Sequence, residues 1–158
     1  RCHRSDPLIF ALTRSMMKLK HAWGVVPRVC EYVFTSIQAK GADDFEISCS
    51  FVEVYNDGLN DLLAFPKKLG LKLVEGKKGA VVQDLTNTPV KTDEEVIKCI
   101  MKGSTQRVTA AMQMNPRSSR GHSIVILNVV AKTKYGNREG KLCIVDMAGM
   151  GASKKTAA

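Results

Sequence analysis

Val29, Cys30, Val33, Phe34 and Ile37 recur at spacings of three and four, one apolar stripe of a helix that begins near Pro27 and stops at Gly41. Pro27 stands in the first turn, where a missing N–H is tolerated. The period then changes. From Glu46 to Tyr55 the chain alternates Ile47, Cys49 and Phe51 before running into Val52 and Val54, which predicts a strand. Asn56-Asp57-Gly58 is a turn signal, with a short apolar element at 59–63 behind it. Residues 71–74 and 80–82, joined by Glu75-Gly76-Lys77-Lys78-Gly79, read as a small hairpin. Thr92-Asp93-Glu94-Glu95 is a capping box, in which Thr92 accepts from the Glu95 amide and the Glu95 carboxylate reaches back. The helix it opens carries Val96, Ile97, Ile100 and Met101 on its apolar face and is expected to end at Gly103. Residues 123–131 and 142–145 are nearly continuous apolar runs, with a turn expected at Asn137-Arg138-Glu139-Gly140. A further run, Leu8-Ile9-Phe10-Ala11, predicts another buried strand, whereas 13–21 shows no period.

Strands without alternation belong in the middle of a sheet covered by helices on both sides, so the expected class is α/β, with a mainly parallel or mixed sheet flanked by helices and a small hairpin on one side. A chain of 158 residues is about one domain long, and its 44% apolar content is that of a folded protein. No apolar run approaches the ~18 residues of a membrane-spanning helix. The first residue is Arg1, with no signal pattern after it, which suggests a cut N-terminus. Cys2, Cys30, Cys49, Cys99 and Cys143 are odd in number and widely spaced, so they read as small buried hydrophobes of a reducing compartment. His3, His21 and His122 offer no metal-ligand spacing.

Charge changes the picture more than composition does. The net charge is +9, and it is uneven. Asp43, Asp44, Glu46, Glu53, Asp57 and Asp61 fall in a stretch without a base, whereas Lys67, Lys68, Lys72, Lys77 and Lys78 follow against Glu75 alone. Such asymmetry suggests a face for a polyanion: nucleic acid, an acidic membrane surface or an acidic protein polymer. A solvated lysine-rich loop explains it equally simply. Aromatic residues are only 6%, so the interleaving of a nucleic-acid stacking platform is missing.

Two segments carry candidate chemistry. The apolar strand ending at Asp146 is followed by Met147-Ala148-Gly149, the D-x-x-G layout in which a carboxylate orients magnesium-bound water and a glycine amide approaches a terminal phosphate. Upstream, Asn115-Pro116-Arg117-Ser118-Ser119-Arg120-Gly121-His122 sets two hydroxyls and two guanidinia in one loop before a core strand. Hydroxyls ligate magnesium, and arginine suits phosphate or a carboxylate partner. Each segment alone is equally a polar loop.

Together the two segments resemble the kinesin motor domain, in register from about Gly24 to Ala158. Gly24-Val25-Val26-Pro27-Arg28 resembles the opening of the helix after the nucleotide pocket. Residues 50–57 with Asp61-Leu62-Leu63 are similar to the family's strand with its tyrosine–asparagine turn. Val82-Gln83-Asp84-Leu85-Thr86, Gly103, Arg107 and Asn115 match further landmarks. Residues 115–122 resemble the first switch, N-x-x-S-S-R-S-H, and 141–149 the second. The resemblance implies a single partial motor domain over 1–158, divergent in 1–23, from an ATP-driven, magnesium-dependent microtubule motor of the cytoplasmic cytoskeleton. It implies that Ser119 ligates magnesium, Ser118 places the attacking water, Arg120 gates toward the second switch, Asp146 holds the magnesium water shell and Gly149 senses the γ-phosphate. It also puts Lys72, Lys77, Lys78 and Lys91 on a microtubule-facing side, with tubulin, or another kinesin chain, as partner.

The departures concern the chemistry. No G-x-x-x-x-G-K-[ST] string exists, and no glycine lies between Ala11 and Gly24; Lys18 or Lys20 could offer charge but no amide nest. After Asp-x-Ala-Gly the chain has Met150-Gly151 where the family has Ser-Glu, so the carboxylate partner of Arg120 is missing. Gly121 replaces a usual serine and should loosen the loop. Phosphoryl transfer rests on positioning and electrostatics, so these losses predict an impaired ATPase acting as a microtubule- or partner-binding module. The alternative is an active motor, represented by an incomplete or mis-joined fragment.

Overall fold

The computed structural model describes residues 24–39, 45–76, 79–111, 121–133 and 135–148. The runs at 8–11 and 13–21, and Gly41, lie outside them. In chain order the elements are α1 (Val25–Gln38), β1 (Phe45–Tyr55), β2 (Gly58–Asp61), β3 (Lys68–Leu71), β4 (Leu73–Gly76), β5 (Gly79–Val82), β6 (Thr88–Pro89), α2 (Asp93–Ala111), β7 (His122–Thr133) and β8 (Gly136–Asp146). One sheet runs β3-β2-β1-β7-β8, with β6 also pairing β1, and β4 and β5 form a separate two-stranded sheet.

The expected α/β architecture is present, and every pairing among the described strands is antiparallel. Connection length explains the direction. Parallel neighbours need a crossover of about a dozen residues, whereas β7 and β8 are joined through residues 134–135 and pair from Thr133 opposite Gly136. The turn therefore comes earlier than expected, at Tyr135 and Gly136, where Gly136 takes φ 109°. Residues 137–140 belong to β8 instead. Between β1 and β2, Asn56 and Asp57 take φ 50° and 60° between the paired Tyr55 and Gly58. Two left-handed residues in a two-residue loop twist as the strands do.

The core lies between the sheet and the two helices. Ile47, Cys49 and Phe51 of β1, Val125 and Leu127 of β7, and the partly buried Leu142 and Ile144 of β8 share one face. Against it pack Val26, Cys30 and Phe34 of α1 and Val96, Ile97 and Ile100 of α2. Each fully buried aliphatic or aromatic side chain contributes roughly 1.5–3 kcal/mol of transfer free energy. The other face is covered differently. Val81, Val82, Leu85 and Asn87 close over Ser50, Ile126, Asn128 and Lys141 around a cavity of about 200 Å³. Ser50 Oγ donates to Asn87 Oδ1 at 2.7 Å there. β1 is thus buried on both faces, but among the described residues helices cover only one; the other, where helices were expected, is closed by β5 and the loop after it. Beyond Lys141 the same face of β8 is open: Cys143 is exposed and Val145 is 53% exposed. The expectation of uniformly buried cysteines holds for Cys30 and Cys49 and fails for Cys143, and all four described thiols are free.

The capping box forms in a shifted version. The Glu95 amide donates to Thr92 Oγ1 at 3.2 Å, while Glu95 Oε2 accepts from the amide of Lys91 at 2.6 Å, one residue before the cap. Gly103 does not end α2, which continues to Ala111. It occupies the inward face of the helix, where Phe51 lies so close that a side chain has no room.

Candidate functional site

β7 begins where β8 ends. Ser123 lies opposite both Glu53 of β1 and Asp146 of β8. Directly opposed residues share a face of a sheet, so Glu53, Ser123 and Asp146 form one polar row across three strands. One residue earlier, His122 Nδ1 accepts a hydrogen bond from the amide of Ala148 at 3.2 Å. That contact joins the start of β7 to the segment after β8.

Behind the row lies a buried ion pair. Arg107 Nε stands 3.3 Å from Glu53 Oε1, with side-chain exposures of 2% and 1%. Arg107 Nη2 donates to the Gly121 carbonyl at 2.7 Å, and Asn60 Nδ2 donates to Glu53 Oε2 at 3.3 Å. Asn60 Oδ1 in turn accepts from the Gly70 amide at 3.3 Å. A buried charge pair holds only when its remaining hydrogen-bonding positions are satisfied, and this one draws partners from α2, β1, β2 and the entry of β7. Ser123 Oγ, also buried, has no hydrogen-bond partner among the described residues.

Asp61 is the other buried acid. Its Oδ1 accepts from the amides of Leu63 and Ala64 at 2.9 and 3.1 Å, and its Oδ2 from the amide of Thr86 at 2.8 Å. Glu53 and Asp61, two of the six acids in the base-free stretch, are therefore turned inward onto partners.

Asp146 stands at the end of β8, beside the start of β7, as the motif reading expects. Ser118, Ser119, Arg120 and Gly149 lie outside the described residues, as do Lys77 and Lys78. Lys72 is exposed between β3 and β4, on the two-stranded sheet's side of the molecule, where its carbonyl accepts from the Gln83 amide at 2.9 Å. Lys91 is elsewhere. It lines a cavity of about 400 Å³ with Phe34, Ile37 and Ile47, on the helix face of the sheet. The structure does not bring Lys72 and Lys91 to one face. Gly121 is buried, with the Arg107 guanidinium on its carbonyl, so the expected loosening does not extend to this residue.

From the sequence Glu53 has no assigned role and Arg107 is only a matched landmark, yet both carry a signal there. Glu53 is a charge inside the run Phe51-Val52-Glu53-Val54, at the same parity as Cys49 and Phe51. Arg107 continues the inward line of Val96, Ile100 and Gly103 at helical spacing. Two inward charges of opposite sign predict each other.

Comparison with known proteins follows the same lines. A family model described as "Kinesin motor domain" matches residues 12–158. "Kinesin-related protein 5" of Dictyostelium discoideum is 37% identical over 139 residues, which covers 85% of this chain and 14% of that protein. "Kinesin-like protein KIN-5A" of Arabidopsis thaliana is 38% identical over 140 residues, covering 80% of this chain and 13% of that one. A solved structure titled "Structure of a fast kinesin: Implications for ATPase mechanism and interactions with microtubules" superposes with a TM-score of 0.80 at 32% identity, covering 96% of this chain and 44% of that chain. The chain thus spans about a seventh of the length of these curated relatives.

Proposed function

This chain belongs to the kinesin motor-domain family, and from that premise we propose that it binds microtubules without turning over ATP. The observation that carries the reading is a contrast within one domain. The buried Glu53–Arg107–Asn60 scaffold beside the switch ends is complete. The glycine-rich phosphate loop and the Glu after Asp-x-Ala-Gly are absent from the sequence.

Magnesium ATP is the ligand the family implies. The Asp146 carboxylate and, opposite it, the unpartnered hydroxyl of Ser123 are hard oxygen donors of the kind a magnesium shell takes, so the described residues fit the metal end of this ligand. Ser119 and Asp146 would hold the metal, with Ser118 orienting water, Gly149 facing the terminal phosphate and Arg120 gating toward the second switch. When bound, magnesium ATP supplies the phosphoryl group to be transferred. The phosphate end needs backbone amides that a segment without glycine does not offer, and residues 12–23 contain none. Retention of Asp146 at its expected place supports the second reading, an active motor of which this is a piece.

The proposed partner surface comprises Lys72, beside a two-stranded sheet that exposes Leu73 and Val81, together with Lys77 and Lys78, which fall between its two strands in sequence. Cations beside apolar side chains suit tubulin's acidic surface. Lys91, across the sheet, would need a separate contact. In a cell this reading places the chain on the cytoplasmic cytoskeleton, alone or beside another kinesin chain. The test pairs co-sedimentation with a phosphate-release assay. The chain should pellet with microtubules in a salt-dependent way, and Lys77→Glu with Lys78→Glu should weaken pelleting and flatten the salt dependence. An unchanged pelleting curve would remove the patch, and microtubule-stimulated phosphate release above a no-protein control would favour the second reading.

A further inference from the structure

We infer that Arg107 is a positioning residue for the strand that leaves the first switch: it fixes Gly121 and, through Gly121, the link between His122 and Ala148. Four pieces of chain meet at its guanidinium. Arg107 comes from α2, Glu53 from β1, Asn60 from β2 through Glu53, and Gly121 from the entry of β7. Gly121 lies one residue outside the β1–β7 register, which starts with Val54 opposite His122. Its carbonyl accepts from Arg107 Nη2 at 2.7 Å. The next residue, His122, holds the Ala148 amide at 3.2 Å, two residues beyond Asp146.

Core stability alone does not explain a charge pair in this place, since well-packed apolar residues of similar volume commonly do as well or better. What an apolar residue cannot do is serve two acceptors. A guanidinium is a planar fork with five donors; here one edge meets the Glu53 carboxylate while Nη2 meets a backbone carbonyl from a different element. Lysine carries the charge on a single nitrogen and spans the same two acceptors poorly. Glu53 orients the fork, Asn60 orients Glu53, and the fork sets where β7 starts. Glu53 is also the register partner of Ser123, itself opposite Asp146, so the anchor stands one row element from the carboxylate of the second switch. The inference rests on the reading above only for the meaning of that place; its geometry stands on described residues.

The experiment separates positioning from packing. Arg107→Met leaves Glu53 buried and unpaired, and should lower the urea midpoint. Adding Glu53→Gln removes the orphaned charge, and should return much of the midpoint without restoring a donor to Gly121. Hydrogen exchange is read in the whole chain over 121–124 and, as an internal reference, over 47–52. In the double variant the reference should recover parental protection while 121–124 exchanges about tenfold faster, the factor equivalent to one hydrogen bond to a charged group. Arg107→Lys, which keeps Glu53 paired, should fold and show intermediate protection at 121–124. Protection at 121–124 that recovers in step with the midpoint would reduce Arg107 to a packing residue and overturn the inference. Parental exchange there in Arg107→Lys would do the same. Microtubule pelleting of the same variants is scored separately, so a chain that never pellets fails the functional proposal and leaves this one standing.

Discussion

Replacing Gly103 by alanine sets two rules against each other. Gly103 lies well inside α2, where helix propensity alone favours alanine by about 1 kcal/mol. The structure argues the opposite. A Cβ on Gly103 would stand 2.3 Å from Phe51 Cδ1, 2.9 Å from Phe51 Cε1 and 3.1 Å from Leu62 Cβ. Carbon atoms in favourable contact lie at roughly 3.5–4.0 Å, so the ring or the helix must move by about 1 Å. Phe51 and Leu62 are both 0% exposed, and protein interiors are close-packed, so their neighbours must absorb the displacement. Overpacking of this kind costs roughly 1–3 kcal/mol, and a contact with a buried ring belongs near the upper end. After the propensity gain, a net loss of about 1–2 kcal/mol remains, or ~2–8 °C in melting temperature for a domain of this size. Urea unfolding followed by far-ultraviolet circular dichroism measures it, with Gly140→Ala as the control. A Cβ at Gly140 has nothing within 4 Å, so the change there should stay within about 0.5 kcal/mol. Trimming the obstacle should rescue the variant: Gly103→Ala in a Phe51→Leu background should cost clearly less than in the parent. A Gly103→Ala chain more stable than the parent would show that propensity wins, and that the close approach of α2 to β1 is wrong.

Thr92→Ala should cost about 1 kcal/mol, read from the same unfolding curves, because it removes the acceptor of the Glu95 amide. Gly121→Ser should be accommodated within about 0.5 kcal/mol, since the nearest atoms to its Cβ are Glu53 Oε1 and the Val54 carbonyl, both at 3.4 Å; a larger loss would mean that this turn needs glycine. Burial pushes the Cys30 thiol up to about 11 and Cys49 up to about 12, from an ordinary 9.0. The fold therefore favours the protonated thiols, a stabilisation fully present below pH ~9 and lost as pH rises toward those values, by about 1.4 kcal/mol per pH unit per thiol. Cys30→Ala should show a shallower loss between pH 9 and 11 than the parent, and an identical slope would refute the assignment. At neutral pH, iodoacetamide mapping should modify the exposed Cys143 well before Cys30 or Cys49.

The sequence was most legible where one rule acted alone. The stripe of α1, the strand around Phe51 and the Asn56-Asp57 turn follow from local period and turn chemistry, and each lies within a few residues of its expected place. It was least legible where tertiary contact overrode the local rule. Gly103 carries the signature of a helix end, and only the ring of Phe51 explains why the helix passes through it. The apolar run of β7 suggested parallel neighbours, yet a tight turn at Tyr135 and Gly136 returns the chain beside itself. At the candidate site, the strand end at Asp146 was readable, whereas the inward parity of Glu53 and the helical line of Arg107 were present in the sequence but became a pair only once β1 and α2 were packed together.

The residues of this chain divide by what they would cost if lost. Breaking the Glu53–Arg107 pair by removing one partner would destabilise by roughly 3–5 kcal/mol, since it strands a charge inside the core. With a typical total stability of about 5–15 kcal/mol, losing either partner alone would remove a large share of what holds the fold. The pair's presence says that the fold is held and says nothing of turnover. The glycine-rich loop and the glutamate after Asp-x-Ala-Gly serve phosphate and gate instead, and it is these that the sequence lacks. The proposal of a binding module rests on that contrast. Asp146 is the exception on which the reading turns. It carries the motif of the second switch, in a row with a serine that has no partner among the described residues. If the carboxylate is structural, Asp146→Asn will cost stability and leave magnesium-dependent nucleotide binding, where there is any, unchanged; if it faces a metal, the same substitution will spare the fold and abolish that binding.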